Sequence, residues 1–99
     1  MPFEVEYSPT VEGHLERFTA RERLVVLNKL EEQLRYEPTL ETRNRKRMRP
    51  NRLAVWELRI GAFRVYDDVM TEPRELVVVQ AMGVKDRNVV RIGNEVIEL

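Results

Sequence analysis

An α+β domain, with an antiparallel sheet and two N-terminal helices packed on one of its faces, follows from three features of the 99-residue chain. A capping box opens an apolar stripe of helical period. After residue 52 the apolar period changes from 3.6 to 2. Glycine and proline turn signals then divide that second half into strands. The order read in this way is β-α-α-β-β-β. Residues 1–99 make a single domain, because a chain of this size buries only one modest core.

Each element has its own signal. Residues 3–7, FEVEY, alternate apolar and acidic and predict a short half-buried strand. Ser8-Pro9-Thr10 breaks it, since Pro9 lacks an amide proton and has a fixed φ. Val11, Leu15 and Phe18 at helical spacing predict a helix over 10–18. Thr19, with Glu22 three residues on, forms a capping box for a second helix. Its stripe is Leu24, Leu27, Leu30 and Leu34 with Val26 beside them, and it runs to about Arg35, ahead of Pro38. Residues 37–52 have no period and predict a loop. Residues 53–60 alternate, with Ala54, Trp56, Leu58 and Ile60 on one side and Glu57 and Arg59 on the other. Trp56 is therefore a core residue. Gly61-Ala62 suits a two-residue hairpin turn. In strand 63–70, Phe63, Val65 and Val69 share one side and Arg64, Tyr66 and Asp68 the other. After a turn at 72–74, the nearly continuous apolar run 75–82 predicts a central strand. The tail 88–99 alternates around Gly93-Asn94 and predicts a hairpin, with a helical tail as the competing reading.

Composition narrows the function. There are no cysteines, so disulfides and thiolate metal sites are excluded. The acidic N-terminus and the lack of a long apolar run point to a cytoplasmic protein with no membrane partner. His14 is a lone histidine and is expected on a helix surface rather than on a metal. No P-loop, nucleophile elbow or dinucleotide fingerprint is present, and neither a metal nor a cofactor is expected. The formal charge is zero, but residues 41–64 carry eight basic side chains against two acids. A local basic stripe of this kind suits a polyanion, and a solvated arginine-rich loop is the plain alternative.

The hairpin sharpens that reading. With Gly61-Ala62 at the turn, Arg59 lies opposite Arg64 and Glu57 opposite Tyr66. Two like charges across a strand pair are unfavourable and are better tolerated beside an anion. Phosphate fits, since arginine offers a planar fork of donors. Arg43, Arg45, Lys46, Arg47, Arg49 and Arg52 extend the basic track, and Lys85 and Arg87 close its other end. This set suits RNA cleavage. The 2′-hydroxyl attacks the adjacent phosphate, and the protein aligns it, moves protons and stabilises charge. Arg64 is the first candidate for charge stabilisation, with Arg59, Lys85 and Arg87 behind it. Glu57, Tyr66 and Asp68 are the candidates for proton handling, and Tyr66 is also expected to contact the RNA. Solvated strand residues are the competing account of Arg59 and Arg64.

WELRIGAFRVYDDV followed by VVVQAMGVKDR resembles the RelE/ParE toxin superfamily, and ETRNRKRMRPN resembles the basic loop of its RelE-like subgroup. The resemblance spans nearly the whole chain. It implies the toxin component of a type II toxin–antitoxin system, neutralised by a cognate antitoxin protein. It further implies a ribosome-dependent, metal-independent endoribonuclease, an mRNA interferase that cuts mRNA in the ribosomal A site and inhibits translation. Arg64 matches the arginine that contacts the scissile phosphate, and Lys85 a second basic residue after the last core strand. Val55 and Glu57 stand where the best-known RelE pattern has two lysines, and Arg91 where it has a tyrosine. Glu57 is then the substitute base. The replaced residues also leave two alternatives, a ParE-type inhibitor of DNA gyrase without chemistry of its own and an inactive relic that only binds antitoxin.

Overall fold

The computed structural model describes residues 2–98, and Leu99, the end of the predicted tail, lies outside them. The chain forms β1 (Glu4–Tyr7), α1 (Pro9–Leu15), α2 (Ala20–Tyr36), β2 (Arg45–Arg47), β3 (Trp56–Ile60), β4 (Phe63–Met70), β5 (Leu76–Asp86), β6 (Val89–Ile92) and β7 (Glu95–Glu98). The architecture is α+β, and the sheet has seven strands, more than the sequence reading gave. No helix among the described residues is long and apolar enough to cross a membrane.

The path through the sheet is β2-β3-β4-β5-β6-β7, antiparallel throughout. β1 departs from the expected antiparallel sheet, because it pairs with β5 in parallel, Glu4 facing Leu76 and Tyr7 facing Val79. β6 covers β5 only at residues 84–86, so the flank at 76–79 is open to a second partner. Apolar–acidic alternation places a strand's faces but carries no information on its direction. β5 thereby becomes central, as its apolar run suggested, and extends to Asp86 rather than stopping at 82.

The helices lie on one face. Val11 of α1 and Val26, Leu30 and Leu34 of α2 pack on Leu58, Val65, Val77, Val79 and Met82. The capping box is present in full: the Glu22 amide donates to Thr19 Oγ1 and the Thr19 amide donates to Glu22 Oε1. Leu24, expected in the stripe, is exposed. It stands two residues, about 200° of helix rotation, from the buried line through Val26, Leu30 and Leu34. α1 ends at Leu15, short of the predicted 18, although Phe18 is still buried and meets Phe63 in a tilted ring pair with centroids 5.0 Å apart.

His14 is not a bare surface residue. Its Nδ1 accepts a hydrogen bond from the Met82 amide at 3.2 Å, tying α1 to the central strand. Its ring also lies beside Gly93, which takes a positive φ at the β6–β7 turn. The predicted C-terminal hairpin is present, with Ile92 facing Glu95.

The opposite face is not bare. Tyr66, Ala81, Val90, Ile92 and Ile97 form a second cluster, with Met48, Leu53 and Ala54 against it. The sheet curls so that β6, β7 and the 48–54 loop cover part of that face. Ala54 therefore packs on the side opposite Trp56, contrary to the alternation read over 53–60, because β3 begins only at Trp56.

Candidate nucleic-acid interface

The hairpin brings the predicted side chains into two cross-strand rows. Directly opposed residues of an antiparallel pair share a face. Lys46 faces Glu57, Glu57 faces Tyr66 and Tyr66 faces Ala81. One step along, Arg59 faces Arg64 and Arg64 faces Gly83. Both rows lie on the side away from the helices, since Leu58, Ile60, Phe63 and Val65 alternate to the helix side. The two-residue turn that sets this register works because Gly61 adopts φ +59°, a left-handed value costly for other residues.

Arg64 is the most distinctive member. It is 8% exposed, and its Nη1 donates to the carbonyls of Gly61 at 2.7 Å and Phe63 at 2.9 Å. No carboxylate among the described residues comes within ion-pair distance of it. The remaining guanidinium donors have no hydrogen-bond partner there. Its row ends at Gly83, where any Cβ would collide with the Arg91 carbonyl oxygen, so β6 approaches closely only because the side chain is missing.

Glu57 is buried and anchors the other row. Its Oε1 receives Arg59 Nε at 3.2 Å and lies 3.7 Å from Lys46 Nζ. No bond to Oε2 occurs among the described residues, so that oxygen remains an available acceptor. The pair also relieves the Arg59–Arg64 repulsion foreseen from the register, because Arg59 shares its charge with Glu57.

Tyr66 differs from its expected role. The residue is fully buried beneath the second cluster, so its ring offers no surface on which a base could stack. Its hydroxyl has no partner at hydrogen-bond distance and angle, although the Glu57 carboxylate facing it across the strand pair is near enough to act on its ionisation. Burial, with the Glu57 carboxylate next, pushes the phenol's pKa well up, so it keeps its proton and is not a base. Asp68 is also removed from proton handling. Its Oδ1 accepts from the Val55 amide at 2.9 Å and its Oδ2 from Gln80 Nε2 at 3.2 Å, bracing the start of β3.

The basic run divides by position. Arg45 is fully buried and makes a bidentate pair with Asp67, at 2.5 and 2.7 Å, while its Nε donates to the Pro38 carbonyl. It is a core residue, not a phosphate ligand. Burial raises the Asp67 carboxyl above its ordinary value, and the Arg45 guanidinium offsets only part of that rise. Arg47 stands over Trp56, 5.7 Å from the ring centroid, with Arg45 at 4.8 Å. Since Arg47 faces Trp56 in register, it lies on the helix side, away from Arg59 and Arg64. Arg43, Arg49 and Arg52 are exposed in the loops, and Arg52 pairs with Glu95 of β7 at 3.4 Å. Lys85 is exposed one step past Gly83 on the arginine face, and Arg87 is exposed at the β5–β6 turn with φ +59°.

β2 was missed because three charged residues between polar neighbours have no apolar alternation to read. Asp67 did carry a signal. It occupies the apolar phase of Phe63, Val65 and Val69, where an acid implies a buried cationic partner.

No family model and no curated protein matched the chain.

Proposed function

We propose that the chain is the toxin component of a type II toxin–antitoxin system of the RelE-like kind, a ribosome-dependent endoribonuclease that cuts mRNA and halts translation. The observation that supports this best is Arg64, nine-tenths buried, anchored by two backbone carbonyls and lacking a counter-carboxylate. A buried cation without a counterion is costly, and an anion from outside offsets that cost. The RNA backbone supplies such an anion. In this reading the 2′-oxygen attacks the adjacent phosphorus as the bond from phosphorus to the 5′-oxygen breaks, leaving a 2′,3′-cyclic phosphate and a 5′-hydroxyl. Glu57 accepts the 2′ proton through its free oxygen, water protonates the departing 5′-oxygen, and Arg64 with Arg59 holds the charge that develops on the phosphoryl oxygens. Lys46, Lys85 and the loop arginines Arg43, Arg49 and Arg52 track the strand. The partners are mRNA on the ribosome and a cognate antitoxin that masks this face, and the compartment is the cytoplasm.

Purified protein mixed with ribosomes programmed with mRNA should cut the message. Arg64→Ala should slow cleavage by about a hundredfold, the scale seen on removing one preorganised charge-stabilising donor. Absence of cleavage by the unaltered protein would sink the reading. A ParE-type inhibitor of DNA gyrase is the second reading, favoured by the burial of Tyr66 and by the two cations already held at Glu57. It requires DNA synthesis to stop before protein synthesis on expression.

A further inference from the structure

We infer that the cleft between the 48–52 loop and the end of β7 is a base-reading subsite that takes a guanine of the bound RNA strand. The inference rests on the ribonuclease reading and specifies which nucleotide that surface selects. The cleft has a volume of about 640 Å³ and is lined by Lys46, Arg49, Pro50, Glu57 and Glu98 among others. That size lies inside the roughly 300–1,000 Å³ range of small-ligand pockets. It adjoins the arginine face directly, because Lys46 and Glu57 belong to both.

The chemistry of the lining is mixed. Glu57 forms the inner wall, but its Oε1 is held by Arg59 and its other oxygen serves the 2′ proton, so the carboxylate left to read a base is Glu98. Glu98 and Arg49 make no ion pair among the described residues, so each is available to a ligand. Unstacked RNA bases are read by hydrogen bonds on their edges and by stacking on guanidinium planes. Guanine alone presents two neighbouring N–H donors, N1–H and the 2-amino group, which one carboxylate accepts together. Its O6 and N7 acceptors on the next edge suit arginine or lysine. Adenine and cytosine place a ring-nitrogen lone pair beside their amino group, and uracil has carbonyls on both sides of its single N–H. Each would set an acceptor against the carboxylate.

The loop wall is also preorganised. Asn51 Nδ2 donates to the carbonyls of Arg49 at 2.7 Å and Ala54 at 3.0 Å, while its Oδ1 accepts from the amides of Leu53 at 2.7 Å and Ala54 at 3.2 Å. A wall fixed in this way loses little freedom when a base enters, which favours discrimination.

The test is titration of the isotope-labelled protein with the four ribonucleoside 5′-monophosphates, followed by NMR. GMP should bind about tenfold or more tighter than AMP, CMP or UMP, the discrimination expected of a bidentate base contact. The shifts should centre on Arg49 and Glu98, and Glu98→Gln should erase the preference. Equal binding of all four, binding of none, or a preference that survives Glu98→Gln overturns the subsite. Ribosome-dependent cleavage is measured separately. Cleavage without guanine preference removes the subsite alone, whereas guanine preference without cleavage removes the ribonuclease reading alone.

Discussion

The buried Arg45–Asp67 pair decides how the basic segment is divided. Both side chains are wholly inaccessible and share two hydrogen bonds, so removing one partner strands a charge in the core. Asp67→Ala should cost about 3–5 kcal/mol, read by chemical denaturation, whereas Arg45→Met with Asp67→Leu should recover most of that loss. A double variant no better than the single would show that the pair is not acting as a unit. Tyr66 gives the opposite expectation. Its hydroxyl is buried without a partner, so Tyr66→Phe removes a desolvation cost and should raise stability by about 1 kcal/mol. For a domain of this size that is a rise in Tm of about 4–8 °C in a thermal melt. A fall in Tm would mean that the hydroxyl has a partner after all. At this scale the sequence was half legible. It placed Arg59, Arg64, Glu57 and Tyr66 on one face, but burial depends on what folds over a residue. Arg45 and Arg43 therefore looked alike.

Elements with strong local chemistry were legible. α2 was visible from its reciprocal cap, and that cap should be measurable. Thr19→Ala removes the acceptor for the Glu22 amide and should cost about 1 kcal/mol in denaturant unfolding, with Thr19→Gly costing less. Equal stability of the unaltered and Thr19→Ala chains would show that tertiary packing of the Val26, Leu30 and Leu34 stripe holds the first turn unaided. The Gly61-Ala62 and Gly93-Asn94 hairpins were legible for a similar reason, since a two-residue turn fixes its register through local backbone conformation. What escaped were features set from a distance. β2 exists because Arg45 reaches Asp67, and β1 runs parallel because β6 leaves part of β5 uncovered. The register shift between Tyr66 and Asp67 has no local sequence mark either. It leaves Gln80 unpaired, with its carbonyl receiving the hydroxyls of Ser8 and Thr10.

For the molecule as a whole, the layers are joined at few polar points, and His14 is the one that titrates near neutrality. It connects α1 to β5 through the Met82 amide and lies against the β6–β7 turn at Gly93. To accept that hydrogen bond, Nδ1 must be unprotonated, so the bond exists only with the neutral ring. Burial lowers the His14 pKa below its ordinary 6.5, with Glu95 pulling the other way. The folded state therefore binds this proton less readily than the unfolded chain does. The stability it contributes is complete above about pH 6.5 and is lost as pH falls from there through the lower folded-state value. Unfolding free energy measured at several pH values should decline below about 6.5, and His14→Gln should flatten that part of the curve. Glutamine keeps an acceptor for the Met82 amide without a titrating group, so the variant separates the proton from the contact. A slope unchanged in His14→Gln would assign the acid sensitivity to the carboxylates instead. In that outcome α1 would be docked by Val11 and its apolar neighbours alone, and the histidine bond would add nothing that depends on pH.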